Sequence, residues 1–547
     1  MWVAAAEKPN ILLILADDMG YSDLGSYGSE IRTPHLDKIA KEGVRFTDFY
    51  VSSLCAPTRA MLLTGVDNHQ NGLGTMPPAH TVNQYLKPGY EGGVNDVAIT
   101  LPETLHRKGY HTYMAGKWHL GHHRENYPVN KGFEKSFAFM GGGSSHFSDA
   151  FPLSEAERPV SFYVRNDEEV KELPEGFYSS DYFADTMIEY ITKQNDDAPF
   201  FGYLAFTAPH DPLHVPDNWV DKYKGRYNGG YESIKKERLA RMKTMGLVDE
   251  SVPYNPGTGK FSTWRKLSKA EQKIEAREME IYASMIENMD YNIGRVVEAL
   301  KKAGKYNDTV FVFMSDNGAN PKEALFYPGQ TKEYMAKHYD NSLKNMGRKG
   351  SFISQGGPWA EVSNTPFTYF KTTTGEGGIH SPLIISGPGV NLRGLRNTGG
   401  MHVCDIVPTL LDLAGVSRPD KVKGKKQAPL YGKSAKGFLA GDKQYMRDTE
   451  KEPLHFEMLE NRAIIKGNWK ALLLQPPFAE KPVWQLYNLV LDPIEKHDLA
   501  SQKPEKLKEL IGDWKHYANE VGYIKAEGKM LIEEIGPDKF YEFKKYE

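Results

Sequence analysis

The stretch "ILLILADD", residues 11–18, decides the fold. Ile11 to Leu15 are aliphatic without polar alternation, so a strand made from them is buried on both faces, as in a parallel sheet covered by helices. Four further runs of the same kind follow: "HTYMA" (111–115), "FFGYLAF" (200–206), "TVFVFM" (309–314) and "PLIIS" (382–386). Helical patterns separate them. The clearest opens at Ser268, where "SKAE" reads as a capping box with Glu271. It continues through Ile274, Ile281, Met285, Met289, Ile293, Val296, Val297 and Leu300 at helical spacing and closes at Gly304. Another, "TPHLDKIAKEG", has Thr33 as N-cap, Pro34 in the first turn and Gly43 at its end. Strands alternating with helices predict an α/β fold with a large, mostly parallel central sheet.

The chain of 547 residues exceeds what one ordinary core organises. Apolar periodicity lapses over about 421–444, which reads as a linker. Beyond it, "RAIIKGNWKALLL" and "WQLYNLVLDP" read as antiparallel strands and "KPEKLKELIGDWKHYANEV" as an amphipathic helix. The expected organisation is a large domain at 1–444, including the linker, and a small C-terminal α+β domain with an antiparallel sheet at 445–547. Segments of about 215–265 and 318–365 show little strand pattern and read as long loops that rim a site. Lys+Arg 68 against Asp+Glu 71 gives a net charge of −3, which argues against a general nucleic-acid binder and leaves room for a local basic pocket. The longest apolar run, "ILLILA", falls far short of the roughly 20 residues of a membrane span. Small residues in "MWVAAAEKPN" resemble the cleavage region of a secretory signal, although no apolar core precedes them. The expectation is a periplasmic or secreted protein, with a cytoplasmic one as the alternative.

Almost every apolar strand ends in ionisable or amide residues: Asp17 and Asp18 after the first, Lys117 and His119, then His210, then Asp316 and Asn317. One such residue alone reads as a turn former or helix cap. Repetition across four strands points to a shared crevice at the carboxyl edge of the sheet. Three carboxylates and an amide, with no Cys or His among them, suit a hard cation, Ca2+ in preference to Mg2+. A second stretch, "SSLCAPTRAMLLTG" (52–65), holds one of only two cysteines. Pro57 suits a first helical turn and Gly65 a terminus, so Cys55 stands at a helix N-terminus, where an anion is favoured. Arg59 lies about one turn on, and Lys117 adds positive charge. Together these residues describe a pocket for a tetrahedral oxyanion bound against a metal ion. The plainer reading of Cys55, a buried inert thiol, is the one adopted for Cys404.

"C-A-P-T-R" at 55–59 matches the C-x-P-x-R signature of type I, formylglycine-dependent sulfatases. "NILLILADDMGYSDLGSYG", "GYHTYMAGKWHLG", "TAPHDPL", "FMSDNG" and "WQLYNLVLDPIEKHDLA" extend the resemblance, in order, to bacterial Cys-type arylsulfatases over essentially the whole chain. The resemblance implies an alkaline-phosphatase-like α/β sandwich whose larger domain is catalytic. It implies hydrolysis of sulfate monoesters, of phenols or of carbohydrates, to an alcohol and inorganic sulfate. Cys55 would be the precursor of Cα-formylglycine, made by a formylglycine-generating enzyme. Asp17, Asp18, Asp316 and Asn317 would hold Ca2+, and Asp316 would also assist the nucleophile. Arg59 and Lys117 would hold the hydrated aldehyde and sulfate, His210 and Lys371 would face the sulfate and leaving oxygen, and His119 would be the closing base. Two alternatives stand beside this: a phosphonate or phosphate ester hydrolase of the same superfamily, and a non-catalytic binder of sulfated glycans with Cys55 unmodified. His69, His146, His214 and His402 read as structural or rim residues, and Asp405 as a helix cap. The loops at about 141–165, 215–265 and 320–365 are expected to set substrate choice.

Overall fold

The computed structural model describes residues 8–327 and 330–546; the small-residue run of the N-terminus, read as a signal remnant, lies outside them. The seven strands used below are β1 (Asn10–Ala16), β2 (Val44–Phe46), β3 (His111–Lys117), β4 (Lys135–Phe139), β5 (Phe200–Ala205), β6 (Thr309–Ser315) and β7 (Leu383–Ser386). They form the centre of a ten-stranded sheet in the order β2-β7-β6-β1-β5-β3-β4, extended by short strands at each edge. From β6 to β4 every pairing is parallel, and β1 lies between β5 and β6. β7 joins antiparallel to both β6 and β2.

The aliphatic run of β1 does what its composition demands. Leu12 and Ile14 enter one core while Ile11, Leu13 and Leu15 enter another on the opposite face, all without exposure. Burial of such side chains stabilises by about 1.5–3 kcal/mol each, so two-sided burial makes β1 the mechanical centre of the sheet. Helix α4 (Lys269–Lys302) packs into the first core, and helix α2 (Cys55–Thr64) into the second. Every residue of α2 is buried, Arg59 included, so the helix shows no polar solvent face.

Local signals mostly give the expected structure. The Ser268–Glu271 capping box forms, and Gly304 follows α4 with a φ of 71°. Ile274, however, is exposed, because the first turns of α4 project beyond the core. Helix α1 (Pro34–Glu42) begins after Thr33, but that side chain bonds Gly25 and Asp37 instead of the helix end. Asp290 of α4 takes over, accepting from the His35 and Leu36 amides at 3.1 and 2.8 Å. The supposed loop at 215–265 contains helix α3 (Tyr231–Thr244). Its buried face includes Lys235 and Arg238, and those charges interrupt the apolar stripe that would have revealed it. Arg238 bonds Asp23 at 2.5 Å and Glu30 at 2.9 Å. The 318–365 segment likewise carries short helices at Lys332–His338 and Gly357–Ser363.

Residues 421–444, read as a linker, contain a two-strand hairpin and a short helix at Lys436–Ala440. Phe438 and Leu439 of that helix join the core beneath α2; two apolar residues are too few to show a period. Four antiparallel strands follow: β8 (Leu454–Met458), β9 (Asn461–Lys466), β10 (Trp469–Leu473) and β11 (Trp484–Asn488). Helix α5 (Pro504–Val521) covers one face through Leu510, Trp514 and Tyr517. A final helix, α6 (Pro537–Tyr546), packs beside Glu155–Glu157.

A buried triad ties this antiparallel sheet to the segment after α2. His69 Nδ1 lies 3.0 Å from Asp67 and Nε2 lies 2.9 Å from Glu457, while the Tyr517 hydroxyl donates to Asp67. Burial opposes a charge on His69, but hydrogen bonds to Asp67 and Glu457 prevail and raise it to about 9. A raised histidine stabilises the fold fully below its unfolded value near 6.5, and that share is lost as pH rises through about 9. The stability gap between wild type and His69→Gln should therefore shrink by roughly 3 kcal/mol at most from pH 6 to pH 10. Urea unfolding of both proteins at the two pH values checks this; a gap independent of pH contradicts it.

Candidate active site

Strand ends deliver most of the site. Asp17 and Asp18 follow β1, Lys117 is the last residue of β3, and Asp316 and Asn317 follow β6. His210 lies in the turn after β5. Gly116 sets the depth of Lys117: a Cβ there would meet the Ala205 carbonyl at 1.8 Å, so only glycine allows β3 to press so close to β5. Cys55 opens α2, whose N-terminus carries no side-chain cap. Asp18, His119, Tyr369 and Thr372 adopt positive φ, at about 1–2 kcal/mol each. These strained residues adjoin or belong to the site, and the last two bracket Lys371.

The Lys371 loop is held from below by the antiparallel sheet. Lys470 of β10, fully buried, pairs with Glu376 at 2.8 Å and Glu495 at 2.7 Å. Asn461 of β9 donates to the Thr372 carbonyl at 3.1 Å. The C-terminal strands thereby fix a residue that belongs to the site of the parallel sheet.

All ten residues expected from the sequence come together. Three buried carboxylates meet three buried cations. Lys117 Nζ binds both oxygens of Asp17 at 2.9 and 2.7 Å, and Lys371 Nζ binds both oxygens of Asp18 at 2.6 and 2.8 Å. Arg59 Nη2 lies 2.7 Å from Asp316 and 3.4 Å from Asp17, and Nη1 donates to the Lys117 carbonyl at 3.0 Å. Cys55 Sγ sits 3.3 Å from Lys371 Nζ and 3.7 Å from Asp18. Asn317 Nδ2 donates to Asp18 at 2.7 Å. His210 Nε2 lies 3.4 Å from Asp18, and its Nδ1 lies 2.7 Å from the Asp211 carbonyl. Cys55, His119, His210 and Lys371 form the floor of an open cavity; the rest lie beneath it.

The charge state follows from burial and pairing. Burial works to protonate Asp18, but Lys371, His210 and Lys117 outweigh it and hold the carboxyl well below the usual range. Burial, then Asp17, raises Asp316 to about 6 against the pull of Arg59. Burial, then Asp316, pushes the Cys55 thiol far above its ordinary value, so as a cysteine it is a neutral, poor nucleophile. Burial lowers His210 to about 3, with Asp18 opposing, so the ring beside Asp18 is neutral imidazole. His119 is held well below its usual value by burial, then by Lys117 and His122. Its buried Nδ1 has no hydrogen-bond partner among the described residues, which leaves it competent to accept a proton.

These residues fit a divalent cation. Ligand atoms of Asp17, Asp18, Cys55 and His210 all lie within 4.8 Å of one another, and Asn317 Oδ1 is buried without a hydrogen-bond partner among the described residues. Asp17, Asp18 and Asn317 supply the oxygen donors that a hard ion takes, with Cys55 and His210 beside them. Asp316 faces this cluster less directly, since one oxygen is given to Arg59 and the other accepts from the Asp18 amide at 3.2 Å.

A family model described as Sulfatase matches residues 9–416. The chain belongs to the sulfatase family. A second model, described as N-sulphoglucosamine sulphohydrolase, C-terminal, matches residues 368–518, from the Lys371 loop through the antiparallel sheet. The chain is 44% identical over 433 residues to an arylsulfatase of Klebsiella aerogenes, covering 79% of this chain and 92% of that protein. It is 41% identical over 547 residues to an uncharacterized sulfatase of Schizosaccharomyces pombe, covering 97% of each. Among solved structures, Ps i-CgsB superposes with a TM-score of 0.65 at 25% identity, over 94% of this chain and 93% of that one. Its complex with k-i-k-neocarrahexaose gives 0.66 at 24% identity, over 99% of this chain and 98% of that one, and shows the shared fold. The protein is thus a sulfuric ester hydrolase on an α/β sandwich with a small antiparallel sheet near its C-terminus.

Other residues near the site escaped the sequence. Asp211 fixes the His210 ring through its backbone carbonyl, and its carboxyl, raised to about 7 by burial and then Asp18, accepts from Tyr327 at 3.1 Å. The sequence offered only "HDP", which reads as a turn. His146 bonds Ser179 and the His210 carbonyl, and His214 bonds the Ser351 carbonyl, so both are structural. His402 is buried, and its Nδ1 accepts weakly from the Cys404 amide at 3.4 Å. Asp405 heads a helix as expected, but its carboxylate bonds the His402 amide and Arg447 instead of capping that helix. Cys404 is a buried free thiol. Calorimetric titration of the unconverted protein should show one divalent cation bound, with roughly ten-fold weaker affinity in Asn317→Ala. Equal affinity in the two proteins would remove Asn317 from the cation site.

Proposed function

We propose that this sulfatase hydrolyses sulfate monoesters through a formylglycine made from Cys55 by a formylglycine-generating enzyme, with Ca2+ as its cation. The observation that carries this reading is the position of Cys55: a protonation-locked thiol at an open helix N-terminus, 3.3 Å from Lys371, above three buried carboxylates. When in place, the aldehyde hydrate supplies an oxygen nucleophile at position 55, and the cation neutralises charge on the transferring group.

The chain's own residues do the remaining work. Asp17, Asp18, Asp316 and Asn317 would hold the cation, and Asp316, raised to about 6, is poised to take a proton from the attacking hydroxyl. Arg59, Lys117 and Lys371, all buried, present positive charge to the sulfate oxygens where the low local dielectric strengthens it. His210 Nδ1–H is committed to the Asp211 carbonyl, so Nε2 is the atom left to face the leaving oxygen, and it donates there only as imidazolium, the form that Asp18 at 3.4 Å and the charge of a bound sulfate favour against burial. His119, kept neutral by burial and neighbouring cations, takes the proton released as sulfate departs. No helix among the described residues is long and apolar enough to cross a membrane.

The test is the mass of the peptide containing residue 55 together with turnover. Protein carrying the thiol-to-aldehyde conversion should hydrolyse 4-nitrophenyl sulfate far faster than 4-nitrophenyl phosphonate, and Cys55→Ala should be inactive yet folded. A preference for phosphonate, or full activity in Cys55→Ala, would overturn the reading. His210→Ala should slow esters of poorly acidic alcohols by roughly 100-fold or more, and esters of acidic phenols less, because only the former need a proton on the leaving oxygen. Equal losses across a series of leaving groups would assign His210 another role.

A further inference from the structure

Above the reactive floor the cavity changes character. Its volume is about 520 Å3, and three small apolar clusters from distant parts of the chain line it. One is Leu153 with Tyr327, another is Phe370 with Phe261 and Phe478, and the third is Val160 with Phe540 and Tyr541 of α6. Its volume falls within the ~300–1,000 Å3 of ordinary small-molecule sites.

Glu157, Asn320, Lys322 and Lys260, polar side chains that reach this region, are engaged with the protein itself. The Tyr541 hydroxyl donates to Glu157 at 3.2 Å, and burial raises that carboxyl to about 7. Asn320 donates to Asp211 at 3.3 Å and to the Tyr327 hydroxyl at 3.2 Å. The Lys322 ammonium lies 4.1 Å from the centre of the Tyr327 ring, and Lys260 donates to the Pro477 carbonyl. A sugar brings several hydroxyls, each of which costs free energy when buried without a partner. An aromatic ring makes no such demand and gains from every carbon it touches.

We propose that α6 completes the leaving-group pocket and that Phe540 and Tyr541 select sulfate esters of apolar, aromatic alcohols over those of sugars. This deepens the reading of the floor given above and rests on it for the chemistry. Phe540 is fully buried and Tyr541 nearly so, at 0% and 5% exposure, which makes them fixed walls of the cavity. Pinning Tyr541 to Glu157 satisfies both polar groups and turns the ring's carbon faces to the remaining space.

Two measurements test it. Binding of 2-naphthol to protein with Cys55 unconverted, followed by the fluorescence of the naphthol, reads the pocket without any turnover. Phe540→Ala should weaken it roughly five-fold or more, and Phe478→Ala on another wall should do the same, so a folding failure in one variant leaves the other. In converted protein, kcat/KM for 2-naphthyl sulfate should exceed that for galactose 6-sulfate by roughly 100-fold, and Phe540→Ala should shrink that ratio. Naphthol binding unaffected by both substitutions, or a sugar sulfate turned over as efficiently as the naphthyl ester, overturns the proposal. Naphthol bound as expected in a converted protein that cleaves no sulfate ester supports the pocket while it removes the reading of the floor.

Discussion

Asp17, Asp18 and Asp316 can be buried side by side only because Arg59, Lys117 and Lys371 are buried against them. Isolated charges in such a place would cost several kcal/mol each, and paired charges repay that cost only when their geometry is fixed. The surrounding fold supplies the fixing. β1, between β5 and β6, sets the two adjacent aspartates, α2 projects Arg59 from one face, and β3 carries Lys117 alongside. The site is neutral as it stands, three carboxylates against three cations. Were a cation to be held by the aspartates, as proposed, the ammonium groups would be free to pair with an incoming oxyanion. Strain at Asp18 and His119 is the local cost of aiming groups into so small a volume.

The fourth side of the site comes from farther along the chain. The chain leads from Lys371 directly to Glu376, which pairs with Lys470 of the antiparallel sheet. A group 3.3 Å from Cys55 Sγ is thus positioned by a sheet that shares none of its strands with the central one. The Asp67–His69–Glu457 triad gives the two sheets a second connection. Both are buried charge pairs, so breaking one partner leaves an uncompensated charge behind.

Much of this was legible in the residues. Runs such as "ILLIL" announce two-sided burial, and ionisable residues at successive strand ends announce a shared edge. Cys55 and Arg59, one helical turn apart, could be placed on the same helix end from Pro57 and Gly65 alone. Less legible was anything carried by tertiary partners. α3 escaped because its inner face includes Lys235 and Arg238, and charge there has meaning only once Asp23 and Glu30 are known to lie opposite. The N-terminus of α1 is capped by Asp290, some 250 residues away, a contact no local pattern encodes. Lys371 could be placed by likeness but not by periodicity, since its loop is shaped by positive φ at Tyr369 and Thr372. Phe540 and Tyr541 carry no polar signal at all, and their place over the cavity emerges only from packing.

Helix α2 is buried from its first residue to its last, and Cys55 retains 1% exposure. If Cys55 is converted as proposed, a modifying enzyme would find its thiol covered once α2 is packed, so conversion would have to come before that packing. Maturation and folding would then compete in time, and the active fraction of a preparation would record rates during synthesis and not the stability of the finished molecule.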